Sequence, residues 1–160
     1  MDEFWARFQG FTPDPNSSLI ANFNLLSTAQ NWAPAGRARS RAHRRFRSAM
    51  IDEFNATYGT DNNDLESWKN LCRVVGIDPV PETITQCRKA VRRTHVNLVD
   101  LIDNDVKNGG GQVKKFKTLR QLREYTHETE KYFPKNPAKA GGILKALLRD
   151  MNAPVDDAEI

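Results

Sequence analysis

Apolar residues recur along most of this chain at intervals of three and four positions, which is the spacing of an amphipathic α-helix. The clearest example is a stripe at strict i+4 spacing, formed by Phe46, Met50, Phe54 and Tyr58. The stripe predicts a long helix over residues 36–58, ended by Gly59. No segment sustains the polar–apolar alternation of a half-buried strand, so the sequence predicts helices throughout.

Capping residues and breaks at proline or glycine divide the rest of the chain into shorter helices. Asn16, Ser17 and Ser18 offer caps for one helix. Asn63 with Glu66 and Thr83 with Gln86 have capping-box spacing ahead of two more. Later apolar repeats predict helices near residues 96–106, 119–126 and 143–151. The predicted fold is an all-α, single-domain orthogonal bundle of six to seven helices.

The same pattern divides the chain into three parts and predicts which side chains fill the core. We expect residues 1–16 to form an aromatic N-terminal arm packed on the core, residues 17–153 the helical domain, and residues 154–160 an acidic, frayed tail. The predicted core residues occupy the apolar helix positions: Trp68, Leu71, Ile84, Val99, Ile102, Leu122 and Leu147. A chain of 160 residues can bury such a core without disulfides or metals.

Positive charge is concentrated in one segment, residues 17–51, which contains no acidic residue. The whole chain carries 24 Lys+Arg and 20 Asp+Glu, a net charge of +4. The segment contributes six arginines, so the remainder of the chain has 18 cations against 20 carboxylates and is slightly negative. These six are Arg37, Arg39, Arg41, Arg44, Arg45 and Arg47. A cluster of this kind is typical of a surface that meets an anionic partner.

The arginines fall on the solvent side of the predicted helix over 36–58. At about 100° per residue, Arg37, Arg41 and Arg44 lie nearly opposite Phe46, and Arg45 flanks them. The planar guanidinium suits both phosphate and carboxylate groups. Three interpretations stay open: a merely solvated face, a phosphate-binding face, and a face that docks an acidic protein. Arg47 is the fifth candidate partner-binding residue on this helix, after Arg37, Arg41, Arg44 and Arg45.

A second basic segment lies within residues 65–93, where two predicted helices flank a turn that contains prolines. The arrangement resembles a loose helix-turn-helix, although the turn is longer than the three or four residues usual for that motif. Its second helix presents the candidate partner-binding cations Arg88, Lys89, Arg92 and Arg93. Any two consecutive amphipathic helices can produce the same pattern, so this segment supports nucleic-acid binding only as an alternative.

The aromatic residues near the N-terminus, Trp5, Phe8, Phe11, Phe23 and Trp32, have three interpretations. They can anchor in a partner's groove, or they can close over the protein's own core. They can also stack on single-stranded bases, although they precede the arginines rather than alternate with them. A further basic stretch over residues 114–123 is followed by glutamates, which favours a solvated helix face.

No set of residues in the sequence predicts catalysis, and we expect no enzyme activity, cofactor or metal. The three histidines are far apart and lack metal-ligand spacing. Asp100, Asp103 and Asp105 are close together, but they lack the glycine and the distal glutamate of a calcium loop. We expect them to cap a helix end or to pair with Arg92 and Arg93. The glycines at 109–111 lack the lysine–serine ending of a phosphate-binding loop.

Cysteine usage and the N-terminal sequence bear on the compartment. Cys72 and Cys87 fall on apolar faces of predicted helices, which favours buried, reduced thiols, although a disulfide is possible if the helices are neighbours. The N-terminus is acidic and lacks the basic start and apolar core of a signal peptide. We therefore expect an intracellular protein, cytoplasmic or nuclear, without a membrane partner.

Three stretches resemble a group of small uncharacterised helical proteins of filamentous fungi: 68–72, 83–90 and 96–102. The resemblance implies a compact helical domain and supplies no activity or site. We therefore expect a non-enzymatic interaction module that binds an acidic or phosphorylated protein through the arginine-rich helix. The alternative is a protein that binds the phosphate backbone of DNA or RNA.

Overall fold

A computed structural model describes residues 1–108, 112–136 and 139–148 of this chain. In these ranges the helices are α1 Asp2–Trp5, α2 Leu19–Ala29, α3 Arg37–Tyr58, α4 Leu65–Val74, α5 Ile84–Arg93, α6 Leu98–Asn108, α7 Leu119–Thr129 and α8 Gly142–Leu147. The protein is an all-α helical bundle, as predicted. The glycines at 109–111, Met151 and the predicted tail over 154–160 lie outside the described residues.

Two very short strands accompany the helices and were not predicted. β1 (His95–Val96) and β2 (Lys115–Phe116) pair antiparallel, with His95 opposite Phe116. Two residues per strand are too few for the alternation that marks a strand in a sequence. Because β1 takes up residue 96, α6 begins two residues later than the periodicity predicts. Asn97 caps α6, since its side-chain oxygen accepts from the backbone N–H of Val99 at 2.9 Å.

The hydrogen bonds at the helix ends show which residues start and stop the helices. Ser18 caps α2 and Thr83 caps α5, as predicted, each accepting from a backbone N–H three residues later. The prediction for α4 was wrong by one residue, because Asp64 is the cap and accepts from the N–H of Glu66 at 3.2 Å. After α4, Gly76 has φ +74° and closes a Schellman turn, in which the N–H of Ile77 donates to the carbonyl of Cys72 at 2.9 Å.

The long helix α3 lies at the centre of the bundle and packs against α1, α2, α4, α6 and α8. Its predicted stripe is buried, since Phe46, Met50, Phe54 and Tyr58 are each at most 1% exposed. Six of the seven predicted core residues are buried as well. Ile84 is the exception. It is the first residue of α5, and it packs against the core while remaining partly exposed to solvent.

The aromatic residues near the N-terminus close over the protein's own core. Phe4 and Trp5 are buried, with ring centroids 5.5 and 5.8 Å from that of Phe46. Phe8 meets Trp32 edge-on at 5.6 Å. These side chains therefore stabilise the contact of α1 and α2 with α3.

Candidate functional site

The arginine-rich half of α3 presents its cations to solvent. Arg37, Arg41, Arg44 and Arg45, which we call the arginine face, are all exposed, as the periodicity predicts. None of them forms an ion pair or hydrogen bond with another described residue. The carboxylates further along α3 are already engaged, since Asp52 pairs with Lys139 at 2.8 Å and Glu53 pairs with the N-terminal amine.

The start of α3 is electrostatically unfavourable for a helix. Its first turn contains no acidic residue but carries Arg37 and Arg39, and its cap, Gly36, provides no side-chain hydrogen bond. Cations at this end oppose the helix dipole, at a cost of about 0.3–1 kcal/mol each at low salt. A bound anion would offset that cost, because it would meet both the arginines and the positive end of the helix dipole.

Two arginines of α3 lie away from the arginine face. Arg39 is half-buried, with its guanidinium 5.4 Å from the centroid of the Phe23 ring, so it contributes to the contact between α2 and α3. Arg47 is exposed but lines a cavity together with His43, one helical turn earlier. The sequence grouped Arg47 with the face because it belongs to the same charged run.

The cations of α5 are in different environments. Lys89, Arg92 and Arg93 are exposed, whereas Arg88 is half-buried, with its guanidinium 5.5 Å from the ring centroid of Trp68. We expected Arg88 to point outward with the other three. Its packing on a buried tryptophan makes it partly structural, so its availability to a partner is reduced.

The two basic helices share two neighbours, because α3 and α5 both pack against α4 and α8. The arginine-rich half of α3 also packs through Phe46 against Phe4 of α1 and Phe23 of α2. We consider the two basic segments as separate candidates.

The helices α4 and α5 of the helix-turn-helix alternative pack against each other. The two helices meet at Cys72 and Cys87, where the Cys72 sulfur lies 4.0 Å from the Cys87 carbonyl oxygen. Thr83 is used as the cap of α5 and Arg88 packs on Trp68. One of the four candidate cations of α5, Arg88, therefore has a structural role.

The two cysteines are both buried and free, so the disulfide left open by the sequence is absent. Burial raises the pKa of the Cys72 thiol to about 12, with a further contribution from neighbouring Cys87. The thiol is therefore protonated at neutral pH and unreactive.

The three nearby aspartates are structural tethers that hold α6 to three other parts of the fold. Asp100 pairs with Lys131 at 2.6 Å, Asp103 accepts from the backbone N–H of Leu19 at 2.7 Å, and Asp105 accepts from the hydroxyl of Tyr58 at 2.5 Å. Burial raises the pKa values of both Tyr58 and Asp105. The hydrogen bond between the two side chains raises the pKa of Tyr58 further but lowers that of Asp105. In the described ranges, no group of three or more His, Cys, Asp or Glu side chains could hold a metal ion.

A cavity of about 550 Å³ opens between five helices and the segment after α7. Its apolar walls include Ile20 of α2, Met50 of α3, Leu98 of α6, Leu122 of α7 and Leu147 of α8. Sequence reasoning missed this cavity, because its lining residues are spread along the chain from Ile20 to Leu148 and form no local pattern. His43 was the one unusual signal, as a polar residue beside the buried stripe of α3.

Comparisons with known proteins found no matching family model, no similar curated protein and no similar solved structure. The resemblance to fungal proteins therefore stays a prediction. No helix in the described part of the chain combines the length and apolar character needed to cross a membrane.

Proposed function

We propose that this protein binds the phosphate backbone of a nucleic acid through the arginine face of α3. The observation that carries the proposal is the exposure of Arg37, Arg41, Arg44 and Arg45 without a carboxylate partner among the described residues. Unpaired surface cations supply the electrostatic, sequence-independent part of nucleic-acid affinity. Arg37, Arg41 and Arg45 follow each other at i+4, about 6 Å apart along the helix axis.

The composition of the surface favours a nucleic acid over an acidic or phosphorylated protein, which was our first expectation. Protein interfaces usually have an apolar centre with buried anchor side chains. The large apolar side chains exposed in the described structure are Leu25, Val106 and Tyr132, none of which belongs to α3. Phosphate-backbone binding requires no apolar centre, because phosphate contacts position the nucleic acid through charge and hydrogen bonds.

Fluorescence anisotropy with labelled, mixed-sequence RNA and DNA, single- and double-stranded, tests the proposal at low and physiological salt. The variant is Arg37→Gln/Arg41→Gln/Arg44→Gln. The matched control, Arg7→Gln/Lys117→Gln/Lys145→Gln, removes the same charge from exposed cations outside α3 and α5. We expect wild type to bind duplex DNA with a steep salt dependence. The slope of log K against log salt should fall by about 0.9 for each phosphate contact that the variant loses.

Two results would overturn the proposal. One is the absence of binding by wild type at low salt, which would favour an acidic protein as the partner instead. The other is equal weakening in the variant and the control, because net charge alone would then explain the binding. A further variant, Arg92→Gln/Arg93→Gln, examines the helix-turn-helix alternative. Selective loss of sequence preference in that variant would assign base reading to α5.

A further inference from the structure

The α3 wall of the cavity contains two hydrogen-bond donor side chains that the fold leaves unused. Arg47 and His43 both line it and are separated by one turn of α3, so their side chains are neighbours on one helix face. Arg47 has no ion pair or hydrogen bond to another described residue, and His43 has only ring contacts with Phe23 and Phe46. Burial, followed by the charges of Arg47 and Arg39, lowers the pKa of His43, so the imidazole is neutral at pH 7 and retains one N–H donor.

Other polar groups lining the cavity are already engaged within the protein. Lys131 donates to Asp100 at 2.6 Å and to the hydroxyl of Tyr125 at 2.9 Å. Asn97 donates to Thr126 at 3.1 Å and to the carbonyl of Lys131 at 3.0 Å. These bonds engage the donors of Lys131 and Asn97, whereas the side-chain donors of Arg47 and His43 on α3 remain available to a ligand.

The remaining lining is mainly apolar, and its one carboxylate limits the charge of a ligand. Met50, Leu98, Leu122 and Leu147 offer contacts to a hydrocarbon body. Glu130 and Lys135 also line the cavity, so a second anionic group that lay against Glu130 would be repelled. A volume of about 550 Å³ lies in the range typical of small-molecule sites, which combine apolar walls with a few placed polar groups.

We propose that this cavity binds a small apolar monocarboxylic acid, with its carboxylate on the Arg47 guanidinium and the His43 ring and its hydrocarbon part against the apolar walls. The guanidinium presents paired donors that match the two carboxylate oxygens. The site is independent of the proposed nucleic-acid binding, because the arginine face contributes none of its lining. Either proposal can therefore fail while the other stands.

Isothermal titration calorimetry of the full chain with three probes of equal chain length tests the site. Octanoate carries one carboxylate, 1-octanol has no charge, and octanedioate carries a carboxylate at each end. We expect wild type to bind octanoate more tightly than either of the other two. Arg47→Gln should weaken octanoate binding about tenfold or more, the scale of a hydrogen bond between charged groups, and leave 1-octanol binding unchanged.

The matched control is Arg44→Gln, which removes the same charge from the same helix outside the cavity lining. We expect its octanoate affinity to equal that of wild type. The inference is overturned if octanoate does not bind to wild type, or if Arg47→Gln and Arg44→Gln bind it equally. Binding of 1-octanol as tightly as octanoate would also overturn it, because the carboxylate would then play no part.

Discussion

Replacing Arg37 by glutamate should stabilise the protein, although it removes a side chain that we propose to be functional. Arg37 is the first residue of α3, where a positive charge opposes the helix dipole and no acidic residue compensates it. Reversing the charge replaces a cost of about 0.3–1 kcal/mol by a gain of similar size. It also replaces the i, i+4 repulsion with Arg41 by an attraction worth about 0.2–0.5 kcal/mol.

Together these terms predict a gain on the order of 1–2 kcal/mol in the free energy of unfolding at low ionic strength. For a chain of this size, such a gain raises the melting temperature by about 2–8 °C. Urea unfolding followed by circular dichroism measures the change, and Arg37→Gln should fall between wild type and Arg37→Glu. The gain should shrink in high salt, because the interacting charges are exposed.

Arg93→Glu is the control with the opposite expected sign. Arg93 is exposed in the last turn of α5, where a cation is favourable, so the same change in charge should destabilise the protein. Stabilisation by both substitutions would show that only the net charge matters. No gain from Arg37→Glu at low salt would refute the reasoning that the positive charge at the start of α3 destabilises the helix.

Three further predictions concern the core, the cavity and the thiols. Leu71→Ala should lower the free energy of unfolding by about 2–5 kcal/mol, because Leu71 is fully buried. Urea titrations measure this change, and unchanged stability would contradict the place of Leu71 in the core. The lowered pKa of His43 means that the unfolded chain binds its proton more readily, so stability should fall below about pH 6.5 and level off above it. His43→Gln should flatten urea midpoints measured across that range, and an unchanged slope would refute the assignment. Iodoacetamide at pH 8 should leave Cys72 unmodified in the folded protein, because burial raises the pKa of its thiol to about 12. The same reagent should label Cys72 in urea. Rapid labelling of the folded protein would contradict the burial of this thiol.

The arginine face is the part of the candidate site that could be predicted from the sequence. Its exposure follows from periodicity, because a helix that buries Phe46, Met50 and Phe54 must turn Arg37, Arg41 and Arg44 to solvent. Arg88 could not be assigned in this way, since its packing depends on Trp68 of another helix. The Asp64 cap was missed by one residue for a similar reason, because neighbouring polar residues compete for one helix end.

The sequence by itself determined the helical class, the central stripe of α3 and the segment that carries the excess positive charge. These are local properties, set by residue type and by spacing along a helix. The tertiary structure decided which polar groups find partners and which do not. Asp100 meets Lys131 across 31 residues and Asp103 meets the backbone of Leu19 across 84, whereas Arg47 and His43 face a cavity bounded by five helices. Such pairings depend on how the helices pack, and no pattern along the chain encodes them locally.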